Sequence, residues 1–156
     1  MALQLPPDSA FGAAARMLAH SHALDRGALD DARGYLETAV AHRDRLPAMS
    51  RPALAIQAAY FEGVYGGNAA MARRWLTEAQ ADAVVSPHAR PLAEAAVRLA
   101  ERDPGAAEPL ARAARELPRA IDRGGARMAA DQIVLLERVL RTLQDGGAVG
   151  IRLEGS

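Results

Sequence analysis

The sequence predicts an all-α protein, built of antiparallel helical hairpins stacked as a short array of about seven helices. Three observations carry this. Apolar residues recur at intervals of three, four and seven through most of the chain, the spacing of one helix face. Alanine supplies 37 of 156 residues and aromatics only 4%. That composition lets helix backbones approach closely and deprives a sheet of the branched and aromatic side chains it packs with. The breaks in periodicity are short and rich in Gly, Pro, Ser, Asn and Asp, the residues of helix ends.

Each element can be justified in order. Helix one is expected from Asp8 or Ser9 to about Leu24, with Phe11, Ala14, Ala15, Leu18 and Ala19 as its apolar stripe. Gly27 marks a joint. Helix two covers roughly Leu29 to Asp44 on Ala32, Tyr35, Leu36, Ala39 and Val40. After the RLPAMSRP break, with Ser50 as a cap, helix three runs from about Arg51 to Tyr65 and stops at Gly66-Gly67. Asn68 caps helix four, whose stripe is Ala72, Trp75, Leu76 and Ala79 and whose end falls near Ala83.

Ser86-Pro87 is read as the start of helix five, because proline's missing N–H costs nothing in a first turn. Leu92, Ala95, Ala96 and Leu99 follow. Asp103-Pro104 repeats the device for helix six, with Ala107, Leu110, Ala111 and Ala114. After the linker LPRAIDRGG, helix seven spans about Ala126 to Gln144. The whole reads as one helical domain over 1–144, with 145–156 as a flexible or weakly structured tail.

Three segments repeat one physical pattern. GALDDARGYLETAVA, GNAAMARRWLTEAQA and RDPGAAEPLARAARE each begin at a turn or cap and place alanines seven apart. Larger side chains fall between them: Tyr35-Leu36, Trp75-Leu76, and in the third segment Leu110 alone. Residues so spaced share one face, small ones letting helices touch and large ones filling space toward a neighbour.

On these residues the chain resembles the tetratricopeptide repeat family and its looser helical-hairpin relatives. The family's turn, small, large and small positions fall on Gly27, Ala32, Leu36 and Ala39, then on Gly67-Asn68, Ala72, Leu76 and Ala79. Asp103, Ala107, Ala111 and Ala114 match less well. The first alanines of the units stand 40 and 35 residues apart, against roughly 34 in that family. A nonrepetitive helical bundle is the alternative architecture.

Helix three, LAIQAAYFEGVY, is apolar on two sides: Leu54, Ala58, Phe61 and Tyr65 on one, and Ile56, Ala59, Tyr60 and Gly63 on the other. Such a helix is either sandwiched or offers a face to a partner. The resemblance implies that first helices of hairpins line a surface holding peptides or partner helices. Carried over by position, this picks Met17, Ser21, Leu54, Gln57, Phe61, Val64 and Tyr65. Phe61 and Tyr65 would supply apolar area, Gln57 would fix a peptide amide, and Met17 would adapt to an irregular side chain.

The remaining features read as structure. Gly66-Gly67 lacks the surroundings of a phosphate loop and ends a helix. His20 and His22 point to different faces. Asp30 and Asp31 suit the positive start of a helix. The adjacent Arg73 and Arg74, and a group of Glu94, Arg98 and Glu101, suit solvated faces. There is no cysteine, and 19 basic residues balance 19 acidic ones, which gives no global pull toward nucleic acid or anionic membrane. No cofactor or metal is expected. With no signal-like or membrane-spanning run, the expectation is a cytoplasmic adaptor for a protein or peptide. The alternatives are a homo-oligomeric module, through helix three or Ala126–Gln144, and a helical-bundle enzyme acting on a small molecule.

Overall fold

The computed structural model describes residues 5–6, 8–79, 85, 87–117 and 126–145. Among the described residues there are seven α-helices and no strand: α1 (Ala10–Asp25), α2 (Leu29–Ala41), α3 (Arg51–Phe61), α4 (Ala69–Glu78), α5 (Ala89–Ala100), α6 (Ala107–Glu116) and α7 (Ala126–Gln144). The expected all-α class of packed hairpins is what the chain adopts. It divides into two compact units, residues 1–54 and 55–156. None of the described helices is long and apolar enough to cross a membrane.

In the first unit α1 and α2 pack as a hairpin. Ser9 starts it, its hydroxyl accepting from the Gly12 N–H at 2.9 Å. The joint is closed at Gly27, whose φ of 71° lies in the left-handed region. There the Ala28 N–H returns to the Ala23 carbonyl at 2.8 Å and the Gly27 N–H to Leu24 at 3.0 Å, the two bonds of a Schellman end. Ala32, Leu36 and Ala39 are buried as the repeat pattern requires.

The stripe expected to bury α1 is the wrong one. Phe11 is 80% exposed and Leu18 61%, while Gly12, Ala13, His20 and Ala23 are buried. The reason is the closeness of the hairpin. With Ala32 and Ala39 at 0% exposure on α2, small α1 side chains let the two backbones meet, and Phe11 and Leu18 would hold them apart.

The second unit is organised around α5, which packs against α4, α6, α7 and the turn that follows α3. That turn, Glu62–Gly66, is π-helical rather than a continuation of the α-helix to Tyr65. Gly67, with φ 66°, ends it. The Asn68 side chain then caps α4 by accepting from the Met71 N–H at 3.0 Å, as expected. Ala72, Leu76 and Ala79 are buried, and Trp75 lies half-buried against the core.

α5 ends with the return bonds seen at Gly27: Asp103 N–H to the Arg98 carbonyl at 2.8 Å and Arg102 N–H to Leu99 at 2.9 Å. The left-handed residue is here Arg102, with φ 59°. The Asp103 carboxylate accepts from Gly105 N–H at 2.8 Å, and a 3-10 turn over Pro104–Ala106 leads into α6.

Several expected boundaries shift. α2 stops at Ala41 and a 3-10 turn, Arg43–Arg45, follows. A second 3-10 turn, Ala48–Ser50, leads into α3. α4 ends at Glu78, its Ala79 carbonyl accepting from Arg90 Nη1 at 3.0 Å. α5 begins at Ala89, past the expected Ser86-Pro87 start, and Ser86 itself lies outside the described residues. In α6 the expected Ala107, Ala111 and Ala114 are exposed, and Ala106, Pro109, Leu110 and Ala113 face the core. The third segment is thus rotated: Leu110 keeps its place, and the small residues one position earlier make the contact. The linker at 118–125 and the tail at 146–156 lie outside the described residues.

Candidate functional site

The seven residues singled out in the sequence fall in both units. In the first, Met17 and Ser21 sit one turn apart on α1, half-buried, with the Ser21 hydroxyl directed at the Met17 carbonyl (3.4 Å). Leu54 is 1% exposed. In the second, Phe61 is 1% and Val64 5% exposed, while Gln57 and Tyr65 are half-buried. Leu54, Phe61 and Val64 therefore offer no area to a partner in this conformation. The stripe that holds Leu54, Ala58 and Phe61 is buried, and so are Ile56, Ala59 and Tyr60 on the other side. Both apolar sides of α3 are thus buried.

What the structure does bring together is an aromatic cluster at the π-helical turn. The Phe61 and Tyr65 rings lie 5.5 Å apart and tilted, and the Tyr60 and Tyr65 rings 6.3 Å apart, edge to face. The extra residue of the π turn brings Gly63 close to α5. A Cβ at Gly63 would lie 2.9 Å from the Ala96 carbonyl oxygen. The Tyr60 hydroxyl is buried without a regular hydrogen bond, Tyr65 being its polar neighbour. Burial raises the Tyr60 phenol well above its usual range, with Tyr65 adding to the effect, and burial also raises Tyr65. Both phenols therefore stay protonated near neutral pH and neither can serve as a general base.

The other titratable groups make structural contacts. His20, 1% exposed, lies with Nδ1 2.8 Å from the Ala32 carbonyl across the first hairpin. Burial lowers its pKa, and the Ala32 carbonyl opposes that shift. His22 is exposed on another face of the same helix. Burial also lowers His88, just ahead of α5.

Arg73 of α4 pairs with Glu101 at the end of α5, and Arg112 of α6 bridges Glu94 of α5 and Glu108. Arg98, expected among these carboxylates, instead donates to the Gly105 carbonyl at 3.2 Å. Pairs this exposed set the orientation of neighbouring helices and contribute about 0–1 kcal/mol each. Among the described residues no three His, Cys, Asp or Glu side chains gather as a metal site.

The feature missed in the sequence is on α1. Phe11, Ala14 and Leu18 face outward, with Ala15 half-buried beside them, an uncharged apolar strip two turns long. Periodicity finds this strip but cannot say on which side the neighbour lies. The signal that could have decided it is the rival stripe of Gly12, Ala13 and Ala23, small residues of the kind that matched Ala32 and Ala39. Comparison with protein-family models, with curated proteins and with solved structures finds no match to this chain.

Proposed function

We propose that this protein is a binding module for a protein or peptide, a divergent tetratricopeptide-like adaptor whose contact surface is the outward strip of α1. One observation carries the reading: Phe11 and Leu18, seven residues apart on one helix face, are 80% and 61% exposed with alanines between them. Two large apolar side chains in line on one helix make an apolar ridge that an apolar segment of a partner would cover. Met17 and Ser21 lie along its flank. Phe61 and Val64 support the α3 side of the second unit as core, and Tyr65 and Gln57 remain its partly exposed contacts.

The test compares proteome pull-downs with the wild-type chain and the Phe11→Ser/Leu18→Ser variant. Because both positions are exposed, the variant should keep its helicity. Loss of a specific captured protein with an unchanged circular dichroism spectrum supports the reading. Capture of the same set by both chains refutes it.

A further inference from the structure

We infer that His20 makes the α1–α2 hairpin an acid-operated switch, in which a proton taken up by its ring parts α1 from α2 while the second unit stays folded. Among the described residues His20 is the only buried side chain able to gain a charge between pH 5 and 8, at 1% exposure. Its Nδ1 lies 2.8 Å from the Ala32 carbonyl, so the ring stands between the two helices. The other buried residues of the hairpin are small, Leu36 apart: Gly12, Ala13 and Ala23 on α1, Ala32 and Ala39 on α2. Such a seam buries little apolar area per residue, which puts it at the low-stability end of a fold. Alanine and glycine also have no side chain that can swing aside, so water reaches a charged ring when the backbones part.

The elements packed on α1 are α2 and the Arg43–Arg45 turn, and neither they nor α1 itself bring a buried carboxylate to the ring. Asp25 of α1, Asp30, Asp31 and Glu37 of α2, and Asp44 of the turn are all exposed. Of the cations, Arg16, one turn earlier on α1, donates to the Leu5 and Gly12 carbonyls at 3.0 Å. Arg33, beside Ala32, lies 3.9 Å from Glu37, and His22, Arg26, Arg43 and Arg45 are exposed, with His42 and Tyr35 half-buried. A charge on His20 is therefore left dry in the closed hairpin, which is costly. Burial holds the ring below its ordinary 6.5, so the open hairpin takes the proton first. Opening begins near pH 6.5, grows as the pH falls and levels off below the folded value. A helix deprived of its packed face loses most of its stability, so α1 then ceases to hold Phe11 and Leu18 in line. That last consequence, withdrawal of the contact surface in acid, rests on the reading of α1 above; the opening does not.

Hydrogen exchange of the full chain across pH 7.5 to 5.5, corrected for the pH dependence of chemical exchange, reads each helix separately. The chain carries His88→Asn, which removes the other histidine whose pKa burial lowers. As the pH falls from 6.5 to 5.5, the opening constant of α1 and α2 amides should rise severalfold, about tenfold being the limit for one coupled proton. Amides of α5 and α6 should stay within about twofold. Adding His20→Asn, whose amide can still donate to the Ala32 carbonyl, should abolish the rise in the hairpin. No rise, a rise shared equally by both units, or a rise that survives His20→Asn overturns the inference. Where His20→Asn does not fold, the comparison of the two units in the His88→Asn chain decides alone. If the hairpin opens in acid while the pull-down is indifferent to Phe11 and Leu18, the switch stands and the reading of α1 falls.

Discussion

Replacing Gly63 by alanine would put a Cβ 2.9 Å from the Ala96 carbonyl oxygen, 3.0 Å from its carbonyl carbon and 3.3 Å from its Cβ. The two nearest atoms are backbone of α5, the helix on which the second unit is assembled, and Ala95, Ala96 and Val97 are at 0–1% exposure. They cannot rotate away as a flexible side chain could. Overpacking of this kind costs about 1–3 kcal/mol. Against it stands the gain of about 0.5–1 kcal/mol that alanine brings to a helical position held by glycine. The net expectation is a loss of about 1–2 kcal/mol.

Gly34→Ala is the matched control. Gly34 is an exposed residue inside α2, and nothing lies within 4 Å of its would-be Cβ. Only the helix gain applies, so this variant should be stabilised by about 0.5–1 kcal/mol. Thermal melts followed by circular dichroism read both, at roughly 2–4 °C per kcal/mol for a chain of this length. Fluorescence of Trp75, the only tryptophan, follows the second unit separately. Opposite signs are required. If Gly63→Ala melts at or above the wild-type temperature, the π turn does not pack against α5 as described.

Three further outcomes follow from the same packing. The neutral His20 of the folded hairpin has a pKa below its ordinary 6.5, so the unfolded chain binds the extra proton first. Stability is complete above pH 6.5 and falls as pH drops through the folded value. His20→Asn should flatten that part of a urea-midpoint series from pH 7 to 5, leaving the slope that His88 contributes; an unchanged slope would show that the folded hairpin does not lower the pKa of His20. Arg102→Gly should raise the melting temperature, since an L side chain in the left-handed region costs about 1–2 kcal/mol and glycine avoids it at some entropic expense. Tyr60→Phe should leave stability unchanged or up to about 1 kcal/mol higher, because it removes a buried hydroxyl lacking a regular hydrogen bond. A loss above 1 kcal/mol would mean that the Tyr60 hydroxyl bonds to Tyr65 after all.

The helices and most of their joints were legible in sequence because each depends on local chemistry. Ser9, Gly27, Asn68 and Asp103 act through backbone groups within six residues, and a repeat of alanines is enough to place the seam at Ala32/Ala39 and Ala72/Ala79. What could not be read was the direction of each seam. Helix α1 carries two stripes of comparable periodicity, and the choice between them depends on how closely α2 approaches. In α6 a one-residue rotation moved Ala107, Ala111 and Ala114 to the surface. The π turn at Glu62–Gly66 is equally invisible to periodicity, since it arises where Gly63 meets the α5 backbone. The burial of Leu54, Phe61 and Val64 was hidden for the same reason: the apolar residues of this segment lie on two sides, and only packing shows that both are covered.

The exposure of Phe11 carries more weight than a lone surface apolar residue normally would. Scattered exposed apolar side chains are common and need no account. This chain, however, has only two phenylalanines. One, Phe61, is buried at 1% exposure, and the other stands 80% in water. Burying such a side chain is worth about 1.5–3 kcal/mol, a large share of the margin of a small domain, and the fold leaves it unused at Phe11. The first hairpin closes instead on glycine, alanine and a desolvated histidine, and Leu18 repeats the arrangement one heptad on. A surface that forgoes this burial twice on one uncharged face recovers it only when something else covers the face. That is the physical ground for reading α1 as a contact surface, and Phe11→Ser/Leu18→Ser is therefore expected to change association while leaving folding stability almost untouched.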